Sequence, residues 1–176
     1  MLEWFRPRMA PEGPVTFDFD IRIARPAGEV YPLLDWGDER HLRRQLGDRI
    51  EPVGDDPMRY RLFLAAMPEH VFDVTLIDAV PGETYVFETH IEPTVGRLVA
   101  NRERYTIESD GPDACELRLI NEVIFDQPMS LRDYRDQLSM MASATSGALD
   151  KLRLLAEEGP DALRAFEASQ FGDESI

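Results

Sequence analysis

One long amphipathic helix near the end of the chain constrains the fold more than any other sequence feature. Between Leu131 and Ala156, apolar residues recur at steps of almost always three or four, which places them on one helix face. Ser130 is suited to cap the first turn, and Asp133 follows it as the acidic partner. Gly159, followed by a proline, ends the pattern. The resulting helix of about 28 residues would be about 40 Å long, and it needs an equally long apolar surface to cover.

The middle of this helix is unusually slim. From 139 to 147 the side chains are mostly small, and Gly147 alone costs about 1 kcal/mol of helix stability relative to alanine. A helix with bulky ends and a slim centre predicts a cavity against its central turns.

The rest of the chain reads mainly as strands. Val15, Phe17, Phe19, Ile21 and Ile23 alternate with polar residues, which is the period of a half-buried strand. Two short helices are predicted between residues 27 and 46. Turn-like segments then separate six more predicted strands, at residues 50–53, 59–66, 70–79, 84–91, 98–108 and 115–125. Short connections predict antiparallel neighbours, so the expected fold is α+β: a curved seven-stranded antiparallel sheet wrapped around the long C-terminal helix.

Composition divides the chain into three parts. Residues 1–14 contain three prolines together with Trp4 and Phe5, and they are predicted to form an N-terminal arm. Residues 15–159 form the predicted domain. Residues 160–176 are predicted to be an acidic C-terminal tail, in which 161–171 form one or two further helical turns.

Three segments of the domain resemble a known superfamily. They are the first strand with the following segment RPAGEV at 25–30, the hairpin with Val80-Pro81-Gly82, and the final helix with its leucines at 149, 152 and 155. On these segments, residues 15–159 resemble the START-like, or SRPBCC, superfamily, which includes polyketide cyclases and dehydratases and has the helix-grip fold. The resemblance implies a fold and leaves function open, because the superfamily also includes lipid carriers, aromatases, hormone receptors, ring-hydroxylase subunits and chaperone activators.

Charge and composition argue against several kinds of partner. The net charge of −15, from 34 acidic and 19 basic residues, repels nucleic acid and anionic lipid. No segment reads as a signal peptide or a membrane span, and the single cysteine, Cys115, is predicted to be a buried thiol, so the expected location is cytoplasmic without membrane insertion. No Cys/His cluster or phosphate-binding loop predicts a metal or a cofactor. The aromatic residues of the arm can dock on the domain or on a second subunit, which would give a homodimer.

The inner face of the sheet can be assigned by counting residues across predicted hairpins. A turn near Gly111 places Tyr105 opposite Leu117 and Asn101 opposite Asn121. A turn near 93–95 places Tyr85 opposite Glu103. The inner face is then apolar except for a cluster of five polar residues: Tyr85, Thr89, Asn101, Glu103 and Asn121.

A polar cluster in an apolar pocket is the usual composition of a small-molecule site. Glu103 has a catalytic interpretation as well, because burial would raise its pKa and suit it to acid–base chemistry. The alternative is structural: Tyr85 and Glu103 satisfy each other, and Asn101 does the same with Asn121. No catalytic residue is assigned, and the predicted ligand-binding residues are Tyr85, Phe87, Thr89, Asn101, Glu103, Asn121, Met141, Ala142 and Thr145.

Three functions remain open. The favoured one is binding of a hydrophobic or aromatic small molecule, lipid-like or polyketide-like, between the sheet and the helix. The second is a polyketide cyclase or dehydratase that uses the same cavity. The third is a ligand-free interaction module resembling chaperone activators. The histidines are assigned no role, because His90 falls on the outer face of the sheet and His41 falls in a charged helix.

Overall fold

A single antiparallel sheet dominates the computed structural model, which describes residues 8–171. Its strands follow the order β1-β7-β6-β5-β4-β3-β2. They are β1 (Val15–Ile23), β2 (Arg49–Val53), β3 (Asp56–Phe63), β4 (Val71–Val80), β5 (Thr84–Val95), β6 (Leu98–Ser109) and β7 (Cys115–Phe125). The helices are α1 (Ala27–Val30), which continues as a 3₁₀ turn (Tyr31–Leu33), α2 (Leu42–Gln45), α3 (Leu131–Glu158) and α4 (Pro160–Phe171). The predicted fold class, with two short helices after the first strand, is confirmed.

Strand β1 forms one edge of the sheet and pairs with β7. Val15 pairs with Val123 at one end and Ile23 pairs with Cys115 at the other. Cys115 is fully buried and forms no disulfide. On the outer face, Arg118 bonds Asp18 at 2.5 Å, so the polar half of the alternation forms ion pairs in solvent. One face of the strand therefore packs on the core while the other remains wet.

Two hairpin registers differ by two residues from the counted prediction. Tyr105 pairs with Leu119 rather than Leu117, and Glu103 pairs with both Asn121 and Phe87. The β6–β7 strands close at Ser109 and Cys115, so the loop is centred one residue later than expected. The β5–β6 turn lies at Gly96-Arg97 rather than 93–95, with an irregularity in the pairing before it. Side chains alternate between the two faces of a strand, so a shift of two residues leaves each of them on the same face. The prediction of which residues face inward is therefore still correct.

Helix α3 begins and ends where its capping signals predicted. Asp133 N donates to Ser130 Oγ at 3.1 Å, and Gly159 adopts a φ of 89°, which is open to glycine at little cost. Its buried side chains are Thr145, Leu149, Leu152 and Leu155. The leucines join the core cluster formed with the concave face of the sheet. No helix within residues 8–171 is long and apolar enough to cross a membrane.

A second helix follows α3 without a loop. The sequence predicted one or two turns after Pro160, whereas α4 has 12 residues. The Gly-Pro pair that ends α3 also starts α4, because proline suits the first position of a helix. Leu163 is completely buried and Lys151 Nζ lies 2.7 Å from Glu167 Oε1, so α4 packs on α3. Residues 172–176 lie outside the described part of the chain.

The end of the predicted arm contacts the start of α3. Ala10 N donates to Met129 O at 2.9 Å, and Leu131 N donates to Arg8 O at 2.7 Å. The second bond uses the N–H of Leu131, which the first turn of a helix otherwise leaves unsatisfied. Trp4 and Phe5, the two aromatic residues of the arm, lie outside the described residues.

Candidate functional site

A cavity of about 290 Å³ lies between the concave face of the sheet, the slim part of α3 and the segment around α2. The sheet contributes Phe87, Thr89 and Leu119, among others. Helix α3 contributes residues that lie on one stripe: Met140, Met141, Ala144, Thr145, Ala148, Leu149 and Leu152. The small residues at 144, 145 and 148 leave the space that bulkier side chains would fill, as the slim centre of the helix predicted.

The cavity has an apolar mouth at one end of the sheet. Leu64 and Met67 belong to the β3–β4 loop, and Val95 precedes the β5–β6 turn at the same end. Met140 of α3 also lines the cavity and keeps 44% of its surface exposed. A ligand entering here would meet flexible methionine side chains, which adapt to different shapes.

A chain of hydrogen bonds joins the polar residues on the cavity wall. Tyr105 Oη donates to Glu103 Oε2 at 2.6 Å, and Asn101 Nδ2 donates to Glu103 Oε1 at 2.8 Å. Asn101 Nδ2 also lies 3.3 Å from Asn121 Oδ1, and Asn121 Nδ2 lies 3.5 Å from Thr145 Oγ1 on α3. The hydrogen bond expected between the two asparagines is therefore present, although Asn101 lies opposite Val123 in the sheet rather than opposite Asn121. The partner of Glu103 is Tyr105 rather than Tyr85.

Burial raises the pKa of Glu103 above its ordinary value. The hydrogen bond from Tyr105, the positive charge of Arg43 and the hydrogen bond from Asn101 all act in the opposite direction, but desolvation outweighs them. Burial and the neighbouring Glu103 carboxyl raise the pKa of Tyr105 well above the ordinary value for a tyrosine. Tyr105 and Asn101 each donate to one oxygen of the Glu103 carboxyl. The carboxyl can accept further hydrogen bonds, so a ligand in the cavity could donate to it.

The raised pKa gives a prediction for the pH dependence of stability. Because folded Glu103 holds its proton to higher pH than unfolded Glu103, its contribution to stability is complete below the unfolded pKa and is lost as pH rises through the folded pKa. The free energy of unfolding of the wild type, minus that of Glu103→Gln, should fall over this window and then level. Urea unfolding at a series of pH values measures it. NMR titration of the Glu103 carboxyl carbon, assigned with the same variant, provides the check, and a midpoint at the ordinary glutamate value would contradict the buried carboxyl.

Two predicted site residues lie away from the cavity wall. Tyr85 is 1% exposed; its hydroxyl donates to Asp35 Oδ1 at 3.1 Å and accepts from Trp36 N at 3.0 Å. It faces inward as predicted, but the loop before α2 covers it, so it positions Trp36 instead of lining the cavity. Ala142 is half-buried beside the lining stripe of α3 and is not part of it. The other seven predicted residues line the cavity: Phe87, Thr89, Asn101, Glu103, Asn121, Met141 and Thr145.

Sequence reasoning missed the third wall of the cavity, which includes Trp36, His41 and Arg43. His41 is 4% exposed, and its ring stacks on Trp36 with centroids 4.3 Å apart. Burial, followed by the positive charges of Arg43 and Arg44, lowers the pKa of His41 to about 3, against the opposing effect of Asp38. Trp36, which lies in a loop just before a short helix, was the one sequence signal for this wall. Residues 35–41 have no periodicity, so their side chains cannot be assigned to a face.

The described residues offer no cluster suited to a metal. Between residues 8 and 171, no three His, Cys, Asp or Glu side chains are grouped so that they could hold an ion. Several polar side chains on the cavity wall can form hydrogen bonds, and the Glu103 carboxyl has a raised pKa.

Comparison with solved structures agrees with the strand order and the long helix. Ara h 8.0201 superimposes with a TM-score of 0.62 at 11% identity, over 82% of this chain and 98% of that one. A START superfamily protein from Mycobacterium smegmatis matches with a TM-score of 0.51 at 14% identity, over 80% and 99% of the two chains. The protein has a START-like, helix-grip fold. The resemblance predicted from the sequence is confirmed at the level of the fold.

A third START-like structure is an enzyme. The Zhui aromatase/cyclase from Streptomyces sp. R1128 has a TM-score of 0.59 at 12% identity, over 93% of this chain and 100% of that one. Identities this low establish a common fold and carry no function with them. No protein-family model matches the sequence, and a search of curated proteins finds no similar sequence.

Proposed function

We propose that this START-like protein binds one hydrophobic or aromatic small molecule between its sheet and α3. The observation that supports the proposal is the cavity of about 290 Å³, whose walls are mostly apolar and whose polar groups form one connected cluster. Ligand sites typically combine apolar walls with a few placed polar groups, in volumes of roughly 300–1,000 Å³. At about 290 Å³, the proposed site lies just below that range.

Its size limits the ligand. A protein cavity of roughly 150 Å³ accommodates benzene, so about twice that volume suits a two-ring aromatic compound or a short acyl chain. A four-ring polyketide or a long lipid would have to extend through the mouth at Met67 and Met140. We therefore favour a ligand of naphthalene size.

The enzymatic alternative has one specific observation in its favour. Glu103 is a carboxyl with a raised pKa, hydrogen-bonded to Tyr105 at 2.6 Å and adjacent to the proposed ligand. Such a group can accept or return a proton, as a cyclase or dehydratase requires. The similarity to the Zhui aromatase/cyclase is limited to the fold. The interaction-module alternative has only the acidic surface in its support.

Fluorescence titration tests the binding proposal. Trp36 lines the cavity, and a Trp4→Phe background makes it the only tryptophan, because the chain has two. Naphthalene, 2-naphthol and decanoate serve as probes of the two ligand shapes. We expect at least one to bind saturably at one site per chain and to change Trp36 emission. If none of the three binds saturably, the proposal is wrong.

A further inference from the structure

We infer that His41 is a ligand-binding residue whose Nε2–H donates a hydrogen bond to an acceptor oxygen of the bound molecule. The inference rests on the proposed function and narrows it, because it favours a neutral aromatic ketone or aldehyde over an aromatic hydrocarbon. Four observations on His41 and its neighbours carry it.

The first observation fixes the tautomer. Arg43 N donates to His41 Nδ1 at 3.1 Å, because His41 occupies the N-cap position of α2. An accepting Nδ1 carries no proton, so the single proton of the neutral ring is on Nε2. The positive charges of Arg43 and Arg44 oppose a second proton, and Asp38 does not offset them.

The second observation is that this donor lacks a partner. His41 is 4% exposed, and no residue between 8 and 171 accepts a hydrogen bond from its Nε2. Nε2 is not among the fully enclosed polar atoms of the described residues, so it is reachable from the cavity, where an acceptor oxygen of a ligand would replace water. Nδ1 faces the backbone of α2, and Nε2 lies on the opposite edge of a ring that lines the cavity.

The third observation places the donor across an aromatic wall from the acceptor cluster. The centroids of His41 and Trp36 are 4.3 Å apart, those of Trp36 and Phe87 are 5.2 Å apart, and those of Phe87 and Tyr105 are 6.2 Å apart. Tyr105 in turn bonds Glu103. A flat ring system lying along this wall would meet an N–H donor at one end and a carboxyl acceptor at the other.

The fourth observation concerns charge. Arg43 also lines the cavity, but its guanidinium lies 3.7 Å from Asp48 Oδ2, so its charge is partly compensated. A carboxylate on the ligand would be disfavoured, because it would lie in the same cavity as the Glu103 carboxyl. A neutral carbonyl compound satisfies His41 without bringing a negative charge near Glu103.

A nearly isosteric ligand pair tests the inference. The ratio of the dissociation constants of 2-ethylnaphthalene and 2-acetonaphthone is measured in the wild type, His41→Phe and His41→Ser. The phenylalanine retains a ring against Trp36, and the serine retains a cap for α2. In both variants the preference for the ketone should fall about fivefold, the value of one neutral hydrogen bond. His90→Ser, an exposed histidine on β5, is the matched control and should leave the ratio unchanged.

The outcomes separate this inference from the proposed function. If both ligands bind the wild type and the His41 variants keep its ratio, the inference is overturned while the cavity remains a binding site. If neither ligand binds the wild type, the inference is overturned, whereas the proposed function is overturned only if naphthalene, 2-naphthol and decanoate also fail to bind. Nitrogen-15 NMR of the wild-type imidazole keeps the test independent of the folding of the variants. The Nε2 resonance should move with the ketone and not with the hydrocarbon, and a proton on Nδ1 would refute the inference.

Discussion

Ala148→Phe should weaken ligand binding at least about a hundredfold, because the new ring occupies the space that the ligand requires. Ala148 lies on the cavity stripe of α3 and is half-buried. The free energy of unfolding should change by less than about 1.5 kcal/mol, since the ring enters an existing space rather than a packed core. Probe titration and urea unfolding of the same variant measure the two effects.

Ser143→Phe is the matched control for this variant. It introduces the same ring into the same helix, at an exposed position outside the cavity wall. Serine and phenylalanine have similar helix propensities, so the substitution should have little effect on α3 itself, and it should leave binding unchanged. If Ala148→Phe instead costs several kcal/mol of stability, the space is closed core and overpacking explains the loss. If its binding equals that of the control, the ligand lies elsewhere.

Leu163→Ala should reduce the free energy of unfolding by about 2–5 kcal/mol, the usual cost of removing a buried leucine side chain. Leu163 is 0% exposed on α4, and we propose that residues 160–171 are part of the folded domain rather than a tail. Phe166→Ala is the control on the same helix; Phe166 is 39% exposed and its loss should cost less than about 1 kcal/mol. Urea unfolding gives both values. Equal costs for the two variants would contradict the proposal.

Most of the fold could be predicted because its elements each bury one face. The period of two in β1 and the steps of three and four in α3 follow directly from that burial. The caps of α3 are local hydrogen bonds, so they too are visible in sequence. The registers were wrong by two residues because hairpin turn positions depend on loop geometry that residue type does not determine. The length of α4 was underestimated because the same Gly-Pro pair ends one helix and begins another.

The candidate site could be predicted only on the strands and on α3. Glu103, Asn101 and Thr145 fall on regular elements, where periodicity assigns a face. Trp36 and His41 lie in a segment without periodicity, whose position is set by hydrogen bonds to Tyr85, about fifty residues away in sequence. Tyr85 was placed in the cavity for the same reason: periodicity shows that a residue faces inward, and it does not show what covers that residue.

The most direct test of the binding site is a crystal structure of the protein grown with saturating 2-acetonaphthone. We expect one molecule per chain between the sheet and α3, with its rings against Phe87 and Ala148 and its oxygen at His41. A cavity closed by repacked side chains, or a ligand bound only outside it, would contradict the account.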